Sequence, residues 1–187
     1  MSDTGLPFFV YGTLLPGEPN HDRFLRGRTY QERPAVLPGA LLYEGPGYPY
    51  AVEGHGTVHG ALVTAAPGAY AELLGLLDDL EEFLGPGHPR NLYERVAREA
   101  VPAPGVPHEP GPGGSGAGEP GAGQPGPGQP GPGQPGAGQS GPGEPGPVRA
   151  WVYLAAGAVA RSLRTGGTLV PGGDWLSRRP PPARRTP

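Results

Sequence analysis

The pattern of apolar and polar residues predicts short strands arranged around one amphipathic helix. Residues 7–14 form an aromatic and β-branched run, which predicts a buried opening strand that stops at Gly12. Further strands are predicted at residues 35–36, 40–43, 48–52, 57–64, 92–97 and 150–154, with a short helical turn at 21–25. Because glycine and proline separate several of these runs at short intervals, the pattern is typical of a small curved sheet or barrel.

One segment has a clear helical period. It begins near Pro67, a residue that the first turn of a helix tolerates, and Gly85-Pro86-Gly87 ends it. The apolar stripe of this helix is formed by Leu73, Leu76, Leu77, Leu80 and Leu84. Many strands with one main helix predict an α+β fold rather than a doubly wound α/β fold.

The end of this helix carries four carboxylates, and a helical wheel separates one of them from the others. Asp78, Asp79 and Glu82 fall on the polar arc, whereas Glu81 falls among the leucines. A carboxylate in apolar surroundings has its pKa raised by desolvation, toward values useful for proton transfer. The alternatives are that Glu81 reaches water at the edge of the stripe or pairs with an arginine such as Arg95.

Composition divides the chain into a core and a low-complexity segment. The 187 residues include 36 glycines and 29 prolines, and these concentrate in residues 102–147, where a Gly-x-Gly-Gln/Glu-Pro unit repeats. Glycine at two positions of five excludes a collagen helix, and the segment has too little apolar surface to fold, so it is predicted to be disordered. Residues 1–101 and 148–177 are then one discontinuous domain, followed by a basic, proline-rich tail at 178–187.

The charged and reactive residues exclude several classes of function. The chain has no cysteine and all 14 of its basic residues are arginine, which excludes disulfides, thiolate zinc sites, cysteine nucleophiles and lysine Schiff bases. The formal net charge of −3 gives no reason to expect nucleic-acid binding. No signal peptide or membrane-length apolar run is present, so the sequence predicts a cytoplasmic protein without a membrane partner. Its oligomeric state is not predicted.

The sequence predicts no metal site. His55 and His59 are four residues apart and would share one face of a strand, but Glu53 is the one further ligand nearby. Nucleotide-binding and nucleophile-elbow motifs are also absent from the sequence.

The opening strand leads into a turn that resembles a known signature. Residues 9–21 read FVYGTLLPGEPNH, which resembles the opening motif of the gamma-glutamylcyclotransferase-like (AIG2-like) family and is similar above all to its gamma-glutamylamine cyclotransferases. The LDDLE motif at 77–81 and the YERV motif at 93–96 also match the family, with weaker matches that include Gly47-Tyr48-Pro49. The sequence departs from the family at Glu82, where glycine is usual, at Ala61, where an acid is common, and in the Gly/Pro insert.

The resemblance implies both a fold and a reaction. The fold would be a mixed, barrel-like sheet. The substrate would be a γ-glutamyl amide or peptide whose own α-amine attacks the γ-carbonyl, which forms 5-oxoproline and releases an amine. Because the nucleophile belongs to the substrate, the reaction requires no metal or cofactor.

The resemblance also implies which residues form the site. Its members are Tyr11, Gly12, Thr13 and Leu14, whose backbone N–H groups would bind the α-carboxylate of the substrate, and Glu81, which would carry protons. We expect Asn20 and His21 to support the turn. Tyr93 either presents its hydroxyl to the substrate or packs in the core, and Tyr11 either lines the site or packs.

A second interpretation belongs to a different class of function. The domain would be a binding module that keeps the pocket without turnover, and the Gly/Pro segment would be a flexible tether. An acid at position 81 and an intact Tyr-Gly-Thr-Leu turn favour the enzyme.

Overall fold

The computed structural model describes residues 5–103 and 146–178. Residues 104–145 and 179–187, which hold the repeats and nearly all of the predicted tail, lie outside the described residues. Within the described ranges, neither α-helix is long and apolar enough to cross a bilayer.

Five strands close into a barrel in the order β1-β3-β2-β4-β5. The strands are β1 (Phe8–Val10), β2 (Thr29–Glu44), β3 (Pro49–Ala65), β4 (Tyr93–Pro102) and β5 (Val148–Ala155). Strand β1 runs antiparallel to β3 but parallel to β5, and the other neighbours are antiparallel. The predicted α+β class with a mixed, barrel-like sheet is confirmed.

The four short strands predicted between residues 35 and 64 are parts of two long ones. Strands β2 and β3 form one antiparallel hairpin, in which Pro34 lies opposite Ala61 and Pro38 lies opposite Thr57. Proline lacks a backbone N–H and usually marks an edge or a bulge in a sheet. Here the register shifts between Pro38 and Ala40, so a bulge absorbs the interruption and pairing continues beyond it.

The opening strand is shorter than predicted. It covers Phe8–Val10, and a 3₁₀ turn follows at Gly12–Leu14. The reason is Gly12, whose φ of +74° lies in the left-handed region and cannot continue a strand. All three strand residues are buried.

One predicted helix is shorter than expected, and a second helix was not expected. Helix α1 (Tyr70–Leu80) ends four residues before Leu84, which is 56% exposed and not part of the apolar stripe. Helix α2 (Gly157–Gly166) was not predicted, although Val159, Ala160 and Leu163 form a short apolar stripe on it. The apolar run of residues 150–160 continues from strand β5 into this helix and conceals where the helix begins. The turn predicted at residues 21–25 is confirmed as one turn of π-helix, His21–Leu25.

Two clusters of buried side chains stabilise the barrel. Adjacent strand residues point to opposite faces of a sheet. Accordingly, Phe8 and Val10 join the cluster that contains Leu73 and Leu77 of helix α1, whereas Phe9 joins a second cluster formed by other strand residues. Helix α1 is thereby packed near β1, which brings the end of α1 close to the turn that follows β1.

Candidate functional site

A cavity of about 340 Å³ lies where the opening turn meets the end of helix α1. Its walls include five of the six residues predicted for the site: Tyr11, Thr13, Leu14, Glu81 and Tyr93. The sixth, Gly12, is buried in the turn and is not one of the lining residues. The cavity therefore brings together residues that lie far apart in the sequence.

The conformation of the opening turn requires glycine at position 12. A Cβ atom at Gly12 would lie 2.4 Å from Cγ of Pro49, and the φ of +74° disfavours any side chain. The N–H of Leu15 donates to the carbonyl oxygen of Gly12 (3.1 Å). The first N–H groups of a helical turn have no acceptor within it, so those of Gly12 and Thr13 suit the binding of an anion.

Asn20 supports the turn through a side-chain hydrogen bond. Its Nδ2 donates to Oγ1 of Thr13 at 3.0 Å, and Asn20 itself lines the cavity. The prediction that this residue supports the turn is confirmed. The imidazole of His21 instead faces strand β2, with its Nε2 2.8 Å from Oε2 of Glu32.

Glu81 is the first residue after helix α1 and still follows its geometry. Its N–H donates to the carbonyl oxygen of Leu77 at 3.0 Å, so its side chain keeps the direction that the helical wheel gives it. The side chain is partly buried in the cavity wall. Burial raises the pKa of its carboxyl from the ordinary value of 4.5 to about 7, because desolvation disfavours the charged form.

The prediction that Asp78 faces water is wrong. Its Oδ1 accepts a hydrogen bond from the hydroxyl of Tyr153 (2.7 Å), and its Oδ2 accepts one from Nη1 of Arg95 (2.5 Å). The guanidinium of Arg95 also lies over the rings of Phe83 and Trp151. Arg95 thus pairs with Asp78 rather than with Glu81, and the pair fixes the last turn of α1 to strands β4 and β5. The other two acids, Asp79 and Glu82, are exposed as predicted.

Two tyrosines, the half-buried Tyr11 and the buried Tyr93, form part of the cavity wall and also join strands. The hydroxyl of Tyr11 donates to the carbonyl oxygen of Tyr153 and accepts from the N–H of Ala51. The hydroxyl of Tyr93 donates to the carbonyl oxygen of Pro49 at 2.8 Å. Burial raises the pKa of both phenols, so both stay protonated. Both tyrosines therefore line the cavity and pack between strands, and a contact of either one with a substrate stays a prediction.

Some residues of the cavity wall were not predicted as site residues from the sequence. Tyr48, Pro49 and Tyr153 also line the cavity. The motif Gly47-Tyr48-Pro49 was available as a signal, because it opens strand β3 beside the turn. The corresponding signal for Tyr153 was the weaker family match at Ala150-Trp151-Val152-Tyr153.

The histidines considered as metal ligands lie on the surface. His55, His59 and Glu53 are all exposed, and Glu53 pairs with Arg98. Among residues 5–103 and 146–178, no three potential ligand side chains come together.

Comparisons with known proteins agree on one family. The family described as gamma-glutamyl cyclotransferase, AIG2-like, matches residues 8–107. A gamma-L-glutamyl-butirosin B gamma-glutamyl cyclotransferase from Niallia circulans is 39% identical over 88 residues, which are 47% of this chain and 53% of that protein. The match therefore spans about half the length of the curated relative.

Two solved structures share the fold. An uncharacterized protein from Pyrococcus horikoshii aligns over 92% of this chain and 91% of its own, with a TM-score of 0.50 and 17% identity. YkqA from Bacillus subtilis aligns over 92% of this chain and 40% of its own, with a TM-score of 0.50 and 18% identity. At these identities the likeness concerns the fold alone.

We predict that Gly12→Ala destabilises the protein by about 2–4 kcal/mol, because the new methyl group meets the Pro49 ring and the backbone is strained as well. Gly17→Ala is the matched control. Gly17 also has a positive φ, of +84°, but nothing lies within 4 Å of its Cβ position, so it should lose only about 1 kcal/mol. Urea denaturation measures both, and equal losses would contradict the close contact.

We predict that Glu81 makes stability fall as the pH rises from about 4.5 to about 7. In this window the unfolded chain has released the proton that the folded protein still holds, at a cost of at most about 3 kcal/mol. Glu81→Gln removes this titration, so the variant should gain stability relative to wild type across the window and keep the gain above pH 7. Urea denaturation from pH 4 to pH 8 tests this, and a pH-independent difference between the two proteins would contradict it.

Proposed function

We propose that this chain, which belongs to the gamma-glutamyl cyclotransferase, AIG2-like family, converts a γ-glutamyl amide or peptide into 5-oxoproline and a free amine. The observation that carries the proposal is the presence, in one cavity, of a turn suited to an anion and a carboxyl group with a pKa of about 7. The first can hold the α-carboxylate of a glutamyl group. The second can move the protons that cyclisation requires.

Binding of the α-carboxylate at the turn fixes one end of the substrate. The N–H groups of Gly12 and Thr13 suit this anion, and Asn20 holds the turn through the hydroxyl of Thr13. With its carboxylate fixed, the glutamyl group can fold so that its α-nitrogen approaches its own γ-carbonyl carbon. Holding the two reacting groups close together lowers the activation free energy of the cyclisation by several kcal/mol, on the order of 7–11 in the best cases.

Glu81 is the proton carrier in the reaction. Its carboxylate takes a proton from the α-ammonium group, and the neutral amine then attacks the γ-carbonyl carbon to form the carbon–nitrogen bond of the ring. The carboxylic acid returns the proton to the leaving nitrogen as the amide bond breaks. The ring nitrogen loses a second proton, which the released amine takes up. The products are therefore 5-oxoproline and an ammonium ion.

A pKa of about 7 suits both halves of this cycle. At neutral pH comparable fractions of Glu81 are ionised and protonated, so the group can act first as a base and then as an acid. The wall tyrosines Tyr11 and Tyr93 complete the proposed binding site and separate the reacting atoms from bulk water. Residues 1–101 and 148–177 are proposed as the cyclotransferase domain.

We predict that wild-type protein releases 5-oxoproline from at least one member of a panel of γ-glutamyl amines and γ-glutamyl dipeptides. Glu81→Gln should fold but lose about 10²- to 10⁴-fold in kcat/KM, as expected when a general acid–base is removed. The matched control is Asp79→Asn, which removes a carboxylate from the same end of the helix but from an exposed position outside the cavity wall. It should retain wild-type activity.

Two outcomes would contradict the proposal. Turnover retained in folded Glu81→Gln would remove Glu81 from the mechanism. Binding of γ-glutamyl compounds without any 5-oxoproline from wild-type protein would support the binding-module interpretation instead.

A further inference from the structure

We propose that Glu82 determines which leaving group the cavity accepts, favouring an amine with a second positive charge and rejecting one with a carboxylate. The inference rests on the proposed function, since it concerns the other end of the same substrate. Three observations support it: the backbone conformation of Glu82, its position in the cavity wall and its negative charge.

The backbone at Glu82 is one that glycine would adopt with less strain. Its φ is +49°, and it is the one non-glycine residue with a positive φ among residues 5–103 and 146–178. Such a conformation is costly for a residue with a side chain. Position 82 directly follows the end of helix α1, where a left-handed residue is usually glycine, and the N–H groups of Glu82 and Phe83 donate to the carbonyl oxygens of Asp79 and Asp78. A glutamate here keeps a carboxylate at the cavity at the expense of local backbone energy.

Hydrogen bonds hold the backbone of Glu82 while its side chain stays accessible. Its N–H donates to the carbonyl oxygen of Asp79, and its own carbonyl oxygen accepts from the N–H of Leu92, both at 3.3 Å. The side chain is exposed and lines the cavity. Within the described part of the chain it forms no ion pair, so its charge is available to a ligand.

The two charged residues that line the cavity, among those the structure describes, are both acidic. Glu81 and Glu82 line it, and no arginine or histidine is found among the lining residues that the structure describes. Arg90 shares an adjacent hollow with Glu82 but does not line the cavity. The field of Glu82 also reaches Tyr50, whose ring packs edge-on against that of Tyr48. The pKa of Tyr50 is raised first by burial, then by Tyr48, and then by the Glu82 charge.

The order of groups along the substrate places its leaving amine near Glu82. The α-carboxylate lies at the opening turn and the scissile amide lies beside Glu81, so the leaving amine extends beyond Glu81, toward the next residue. A positive charge there is attracted by the carboxylate and can also lie against the ring of Tyr48, which lines the cavity. A carboxylate in the same place is repelled and has no cationic partner among the described lining residues.

Three γ-glutamyl compounds of similar size test this inference. Their leaving amines are ethylenediamine, which keeps one ammonium group, propylamine, which is neutral, and β-alanine, which carries a carboxylate. 5-Oxoproline release is measured for wild type, Glu82→Gln, Glu82→Gly and Asp79→Asn. Glu82→Gly suits the left-handed backbone, so its Tm should not fall below that of wild type.

We expect wild-type protein to prefer the ethylenediamine compound, with propylamine between it and β-alanine. The ratio of kcat/KM for the ethylenediamine and β-alanine compounds should fall about 3- to 10-fold in both Glu82 variants, as expected when one exposed charge no longer acts on either substrate. It should not change in Asp79→Asn. Higher ionic strength should lower the ratio in wild type but not in the Glu82 variants.

The possible failures are distinguishable. If wild-type protein turns over these compounds and the ratio is the same in the Glu82 variants, this inference is overturned while the proposed function stands. If no γ-glutamyl compound yields 5-oxoproline, both are overturned.

Discussion

The close contact between Gly12 and the ring of Pro49 is the constraint on which the rest of the cavity depends. Pro49 opens strand β3, its ring leaves no room for a Cβ atom at Gly12, and its carbonyl oxygen accepts the hydrogen bond of Tyr93. One residue therefore joins the turn after β1 to β3 and β4. Because the barrel is closed, a shift of this turn would disturb strands on both of its sides.

A second constraint fixes Glu81, the proposed proton carrier, relative to that turn. Asp78 receives hydrogen bonds from Tyr153 and Arg95, so the last turn of helix α1 is held by two strands, three residues before Glu81. Among the residues that the structure describes, no hydrogen-bonding partner draws the Glu81 side chain away from the cavity, and its carboxyl is partly desolvated. The acid that the sequence assigned to solvent is thus the residue that positions the end of the helix.

Much of this arrangement could be predicted from sequence, for identifiable reasons. Glu81 could be distinguished from its acidic neighbours because the helical period decides which face of a helix a residue occupies. The helical hydrogen bonding extends as far as the N–H of Glu81, so the wheel applies to this residue. Helix α2 was missed because the apolar run of residues 150–160 continues from strand β5 into the helix and conceals where the helix begins. The continuous β2–β3 hairpin was also missed, because pairing across a bulge depends on the partner strand rather than on local propensity. The role of Asp78 depends on strands distant in sequence, which a wheel cannot represent.

The carboxyl group of Glu81, in a cavity that is partly shielded from water, should titrate near neutral pH. A ¹³C NMR titration of the Glu81 side-chain carboxyl, assigned by comparison with Glu81→Gln, measures this directly in the full chain. The account predicts a midpoint close to pH 7. A midpoint near the ordinary value of 4.5 would show a solvated carboxylate and would contradict its role as a carrier of protons.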